Sequence, residues 1–316
     1  MAPKLPEQQY VDLMKTILEE GKWKQTRQKD KDGNFLRAKT ITGGYMRYDL
    51  SDGTMPLISG RALGGAFYQF IGEVFWILSG NTHQYQLNRY GVKYWDSWAT
   101  PEMCRLYNLD PGDFGTTYGK QWRSFQIDNS RSVDQVKRLF DGLRSRPEDR
   151  RLIVTAWNPG GVDNLVVRPC HGTFQIVHRE GVLDMWLIQM SADVPVGIPS
   201  NMVMYAFLLT CIARATGYKV GTLVHNMGDT HIYEDQIPGV EVLIERAAKP
   251  FPKFTVSDAI IDAVLLMVDK GEKDPLSLPE INPKGLDYVT FLKENVVLHG
   301  YEPHPPIKRD LLPVAV

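Results

Sequence analysis

Between Asn201 and Ala215 the chain reads NMVMYAFLLTCIARA, apolar on almost every side, introduced by Pro199-Ser200 and closed at Gly217. A helix hydrophobic around most of its circumference has to be wrapped by other structure, and Ser200 is a candidate N-cap for it. The cover has to come from the rest of the chain. Leu152–Trp157, Thr173–His178 and Leu183–Gln189 are short runs rich in Val, Ile, Trp and Phe, separated by Pro159-Gly160-Gly161 and Glu180-Gly181. They read as strands. The spacing of Tyr10, Leu13, Met14, Ile17 and Leu18 predicts an amphipathic helix over 7–20, stopped at Gly21. A second apolar helix is expected over 62–79, ending at Gly80. Strand runs mixed with long helices predict one α+β domain over 1–316, with a mixed sheet packed against helices. Residues 22–39 are polar and charged and read as a mobile loop, and the proline-rich stretch from Pro303 to Val316 reads as irregular.

Composition narrows the function classes. With 43% hydrophobic residues, 23% charged residues and a net charge of -1, the 316-residue chain offers no broad field for nucleic acid or membrane. Cys104, Cys170 and Cys211 are odd in number and lack metal-ligand spacing. That argues against a disulfide framework or a metal site and fits a reducing cytoplasm. The first 21 residues lack the apolar core of a secretory leader, and no run of 18 apolar residues occurs, so no membrane span is expected.

The chemistry centres on Arg168-Pro169-Cys170-His171. A thiol beside a histidine is either a small buried hydrophobe or a covalent nucleophile. Glu73, the one acid on the 62–79 helix, is either a solvated edge carboxylate or a buried acid with a shifted pKa. Arg27 and Arg150-Arg151 supply guanidinium forks suited to phosphate. Gln189-Met190-Ser191-Ala192-Asp193 and Gly197-Ile198-Pro199-Ser200-Asn201 carry amides, hydroxyls and a carboxylate near chain reversals. His231 and Tyr233, two apart, share a face if extended. Trp95, Trp98 and Tyr118 offer faces for a flat ligand.

Taken in order, these segments resemble the thymidylate synthase family over nearly the whole chain. The strongest matches are Tyr118-Gly119-Lys120-Gln121-Trp122-Arg123, Arg150-Arg151 with Val154-Thr155-Ala156-Trp157-Asn158, Pro169-Cys170-His171, Ser191-Ala192-Asp193 and Gly228-Asp229-Thr230-His231-Ile232-Tyr233. The resemblance implies that Cys170 adds as thiolate to C6 of a pyrimidine nucleotide, and that C5 then takes a one-carbon unit from 5,10-methylenetetrahydrofolate. It implies Glu73 as general acid/base, Tyr118 and His171 as proton-network residues, and Asn201 as the amide that reads uracil and so favours dUMP. It gives His231 and Tyr233 to the sugar 3′-hydroxyl, with Gln189, Ser191 and Asp193 beside the substrate. Trp95, Trp98, Asp193, Gly197, Arg61 and the closing tail with Val316 go to the folate, with no metal.

Arg27, Arg150, Arg151 and Arg168 are the expected phosphate or thiolate partners, Arg168 and Arg151 being the candidates to lower the thiol's pKa. By resemblance, Arg150 and Arg151 reach across an obligate homodimer whose interface is a sheet face. The chain departs from the family at Met190 (an arginine is expected), Gly60 (a lysine) and Ser200 (a phenylalanine), and in a longer segment after Arg27. Two outcomes share one intermediate. Water would give 5-hydroxymethyl-dUMP, the expected outcome on balance, toward which Met190, Ser200 and residues 22–39 lean. Hydride would give dTMP and dihydrofolate, favoured by Trp95 and the Val316 tail. A non-catalytic RNA- or protein-binding relative is the remote third reading. The expected setting is cytoplasmic, a phage-infected host included.

Overall fold

The structure, a computed structural model, describes residues 5–30, 32–128 and 130–314. Its strands are β1 (Lys22–Lys29), β2 (Phe35–Asp49), β3 (Phe125–Gln126), β4 (Ser132–Val133), β5 (Ile153–Val154), β6 (Thr173–Arg179), β7 (Val182–Asp193), β8 (Lys219–Tyr233), β9 (Lys253–Val256) and β10 (Val296–His299). The helices are α1 (Gln8–Glu20), α2 (Gly64–Ser79), α3 (Gln84–Arg89), α4 (Pro101–Arg105), α5 (Tyr118–Arg123), α6 (Gln135–Ser145), α7 (Gly197–Thr216), α8 (Ile237–Glu245), α9 (Asp258–Asp269) and α10 (Tyr288–Asn295).

Six strands make the main sheet in the order β1-β2-β8-β7-β6-β5. All neighbours are antiparallel except β7 and β8, which run parallel. A parallel pair needs a crossover, and α7 supplies it. This is the apolar helix of the sequence, and Met202 to Leu209 are all buried. By length and composition α7 could cross a bilayer, but 78% of that window is buried inside the fold. It is a core helix.

Ser200 does not cap it. The helix starts three residues earlier at Gly197, because Pro199 fits a first helical turn, and the Ser200 hydroxyl donates to the Gly197 carbonyl at 2.7 Å.

Residues 22–39, expected as a loop, form β1 and the start of β2. β1 is an edge strand exposed along most of its length, so it shows no apolar alternation to read. Other contacts hold it: Thr26 Oγ1 donates to Leu36 O at 2.7 Å, and the Arg37 guanidinium stacks 4.7 Å from the Trp23 ring centroid. The strand expected over 152–157 shrinks to Ile153–Val154.

The sheet buries one face. Along β7, Leu183, Met185, Leu187 and Gln189 point into the core, while Trp186 and Met190 point out with Ile153 on β5, Val177 on β6 and Tyr45 on β2. The ends of β7 and β8, the start of α7 and the loop before β6 converge at the inner edge of this sheet, where the cleft lies.

Candidate active site

A cleft of about 420 Å³ is lined by Cys170, Glu73, Tyr118, His171, Asn201 and most of the other residues expected at the site. Cys170 sits in the turn before β6. Its amide N–H donates to Tyr118 Oη at 3.0 Å, and its carbonyl accepts from Met190 N at 2.7 Å, which pins the turn to β7. Gly172 follows at φ +99°, and a Cβ there would lie 2.7 Å from Ala156 Cβ. Only glycine serves that bend.

Burial pushes the Cys170 thiol up, opposed by a hydrogen bond from Ser191 and the charge of Arg27. The expected arginines do not do this work. Arg168 lines the cleft but donates to Val162 O at 3.0 Å and Asp163 at 2.8 Å, and Arg151 is held by Asp149 at 3.0 Å.

Glu73, on α2, is buried and takes a hydrogen bond from Tyr94 Oη. Desolvation raises its carboxyl to about 7 against hydrogen bonds from Tyr94 and Trp95 that pull it down. The solvated-edge alternative is therefore excluded. Trp95 is itself buried, packed edge-on to Phe114 and Tyr118 at 5.1 and 5.7 Å. His171 stacks on Tyr118 at 4.6 Å, pairs with Tyr205 Oη at 2.8 Å, and is held neutral by burial, which lowers it to about 3.

Asn201 presents its amide from α7, with Nδ2 donating to Gln189 Oε1 at 3.0 Å. His231 and Tyr233 share one face of β8, their rings 4.9 Å apart. Asp229 contacts His231 Nδ1 at 3.2 Å, accepts from Thr40 at 2.7 Å and pairs with Lys24 at 2.5 Å. Its carboxyl is held well below the usual range, chiefly by the His231 bond.

At the opposite wall, burial raises the Asp193 carboxyl. Its Oδ2 accepts from Gln236 Nε2 at 3.1 Å, the same nitrogen that donates to Pro313 O at 3.1 Å. Gln236 Oε1 in turn accepts from Tyr233 N at 3.0 Å. Arg61 donates to Pro195 O at 2.8 Å, and its Nε is buried without a partner. Trp98, Gly197 and Val314 complete this end.

Two expected residues among those described are not brought to the cleft. Arg150 and Arg151 border a separate shallow hollow with Arg146, Glu148 and Asp149. Val316 lies outside the described residues. Met190 points away from the cleft and is 45% exposed. Tyr94, Tyr205, His225 and Gln236 were missed. Tyr94 adjoins Trp95 and is readable there; Tyr205 and His225 lie among apolar residues that signal only burial, and Gln236 follows Glu234-Asp235 in what reads as a solvated turn.

Among the described residues, no group of three or more His, Cys, Asp or Glu side chains is arranged to hold a metal ion. A mixed sheet with a thiol-bearing cleft of this make-up is the framework of a one-carbon transferase. The family model described as Thymidylate synthase matches residues 8–313, and the chain belongs to the thymidylate synthase family. Enzymes of this family transfer a one-carbon unit from methylenetetrahydrofolate to dUMP.

Proposed function

We propose that this chain carries out that transfer at the cleft, completing it with hydride to give dTMP. The observation that carries the reading is that Cys170, Glu73 and the Asn201 amide line one cleft. In this reading the Cys170 thiol gives its proton to solvent and its sulfur bonds to C6 of the uracil ring as the C5–C6 double bond opens toward C5. Later the C5 proton leaves and the sulfur–C6 bond breaks, restoring the double bond and the thiolate. The Arg27 charge favours the thiolate, and the same guanidinium can meet an anionic phosphate.

Glu73, with a pKa near 7, can give and take a proton near neutrality. Asn201 orients the base, His231 and Tyr233 the sugar. The folate, when bound, supplies the one-carbon unit and the hydride. The residues fit such a ligand: Trp95 and Trp98 offer flat apolar walls, and Arg61 Nε is a buried donor without a partner. Asp193 faces the same end as a carboxylate for a ring N–H.

Hydride completion needs a dry wall at the reacting carbon, and the buried Trp95 cluster supports it. Two of the features that leaned toward water lose weight. Met190 faces solvent, and Lys22–Lys29 is a strand paired with the start of β2. Ser200 keeps hydration to 5-hydroxymethyl-dUMP as a second reading, because its hydroxyl lines the cleft 3.5 Å from Asn201 Oδ1 and can hold a water.

The outward sheet face with Trp186, Val177, Ile153 and Met190 supports pairing with a second copy, with Arg150 and Arg151 offered to the partner's phosphate site. One catalytic domain is the unit we propose. Incubation with dUMP and methylenetetrahydrofolate, following dihydrofolate absorbance and nucleotide mass together, tests the product. Dihydrofolate in step with dTMP supports hydride; a product 16 Da heavier than dTMP without dihydrofolate means water; no turnover overturns the transfer itself.

A further inference from the structure

His225 lies on β8 behind the cleft, fully buried and outside its lining. Its Nε2 is 2.9 Å from Gln189 Oε1, the same oxygen that accepts from Asn201 Nδ2 at 3.0 Å. The direction of every bond in this chain can be read from one unambiguous group. Gln189 Nε2 donates to the backbone carbonyl of Ser191 at 2.9 Å, and a carbonyl can only accept. The Gln189 oxygen must therefore face the other way, toward both His225 and Asn201.

An oxygen there requires donors from both. His225 must carry its proton on Nε2, and Asn201 must turn its nitrogen, not its oxygen, toward Gln189. His225 Nδ1 is buried without a partner, a bare acceptor in that tautomer. Burial keeps the ring neutral, lowering it to about 3.

We propose that His225 is a positioning residue that locks the Asn201 amide, through Gln189, in the orientation that accepts uracil and refuses cytosine. The inference rests on dUMP being the substrate. Uracil offers an acceptor at O4 and a donor at N3, while cytosine offers a donor at its amino group and an acceptor at N3. The two bases need opposite orders of donor and acceptor from the amide. A freely flipping asparagine would serve both; one held by its nitrogen serves one. With His225 in place, flipping Asn201 would set its oxygen against an oxygen that His225 already holds.

The test compares dissociation constants for dUMP and dCMP by calorimetry in the full-length protein, with tritium release from C5-labelled dUMP run beside it. Tritium release reports the proposed reaction, whereas the affinity ratio reports the lock, so the two fail separately. The unmodified protein prefers dUMP. His225→Met, of similar bulk without a donor, lowers that preference about tenfold, chiefly by improving dCMP binding. His225→Gln, which restores an N–H, recovers most of it.

A ratio unchanged in His225→Met, equal loss for both nucleotides, or no preference in the unmodified protein overturns the proposal. Histidine ¹⁵N spectra of the unmodified protein give an independent reading that needs no variant to fold. A His225 signal with the proton on Nε2 is expected, and one with the proton on Nδ1 overturns the lock.

Discussion

Tyr118 Oη accepts the amide hydrogen of Cys170 at 3.0 Å. The phenol holds the backbone of the thiol-bearing turn and also hydrogen-bonds the thiol itself, pulling against the upward push of burial. Tyr118→Phe leaves that buried N–H unpaired, which costs about 1–3 kcal/mol of stability. Urea denaturation should show the loss, with dUMP turnover falling further than dUMP affinity. Unchanged stability would mean that the turn does not need the phenol.

Cys170→Ser should reduce turnover by more than about 10³-fold, since a hydroxyl is a far weaker nucleophile for C6. Nucleotide affinity and melting temperature should stay near those of the unmodified protein. Retained activity in a single-turnover assay would remove Cys170 from the chemistry.

Glu73 links activity to pH. Its folded carboxyl protonates near 7 against an unfolded value of 4.5, so the native state holds more protons across that window. Stability therefore falls as pH rises through it and stays lower above. Glu73→Gln removes the effect, with a gain of at most about 3 kcal/mol at pH 8 and little at pH 4. Turnover should drop about 10²- to 10³-fold at the same time. Melting curves at the two pH values decide; an equal gain at both would mean that Glu73 titrates normally.

Arg27 is the arginine whose charge reaches the thiol. In Arg27→Ala the pH midpoint for alkylation of Cys170 by iodoacetamide should move up, slowing the reaction at pH 8 by roughly threefold. Arg151→Ala should leave alkylation of an isolated subunit unchanged. The reverse pattern would restore Arg151 as the thiol's partner.

Gly172→Ala forces a Cβ within 2.7 Å of Ala156 Cβ at φ +99°. A loss of about 2–4 kcal/mol is expected, read by urea denaturation, with Ala156→Gly relieving the steric part.

Much of the site was legible because its chemistry comes in short runs. Cys170-His171, Ser191 with Asp193, and His231 with Tyr233 each carry two functional groups on one strand or turn, and each pair arrives in the cleft together. The hairpin at 22–39 was illegible because an edge strand exposed on both faces has no hydrophobic period. His225 and Gln236 were illegible for other reasons. Among apolar neighbours His225 looks like an exception, Gln236 after Glu234-Asp235 looks like one more solvated polar residue, and only their partners, 36 and 43 residues away in sequence at Gln189 and Asp193, reveal their use. Arg150 and Arg151 were assigned by resemblance, and within one subunit they stay on another surface.

Gln236 joins Tyr233, Asp193 and Pro313 through one amide whose oxygen and nitrogen are both committed. Position 236 is thus almost closed to variation. A glutamate would set a second negative charge against Asp193, and a leucine would strand three polar groups at once. Changes at Pro313 are then read at Asp193 in the cleft wall, and a lineage altering that wall would have to change 193, 236 and 313 in concert.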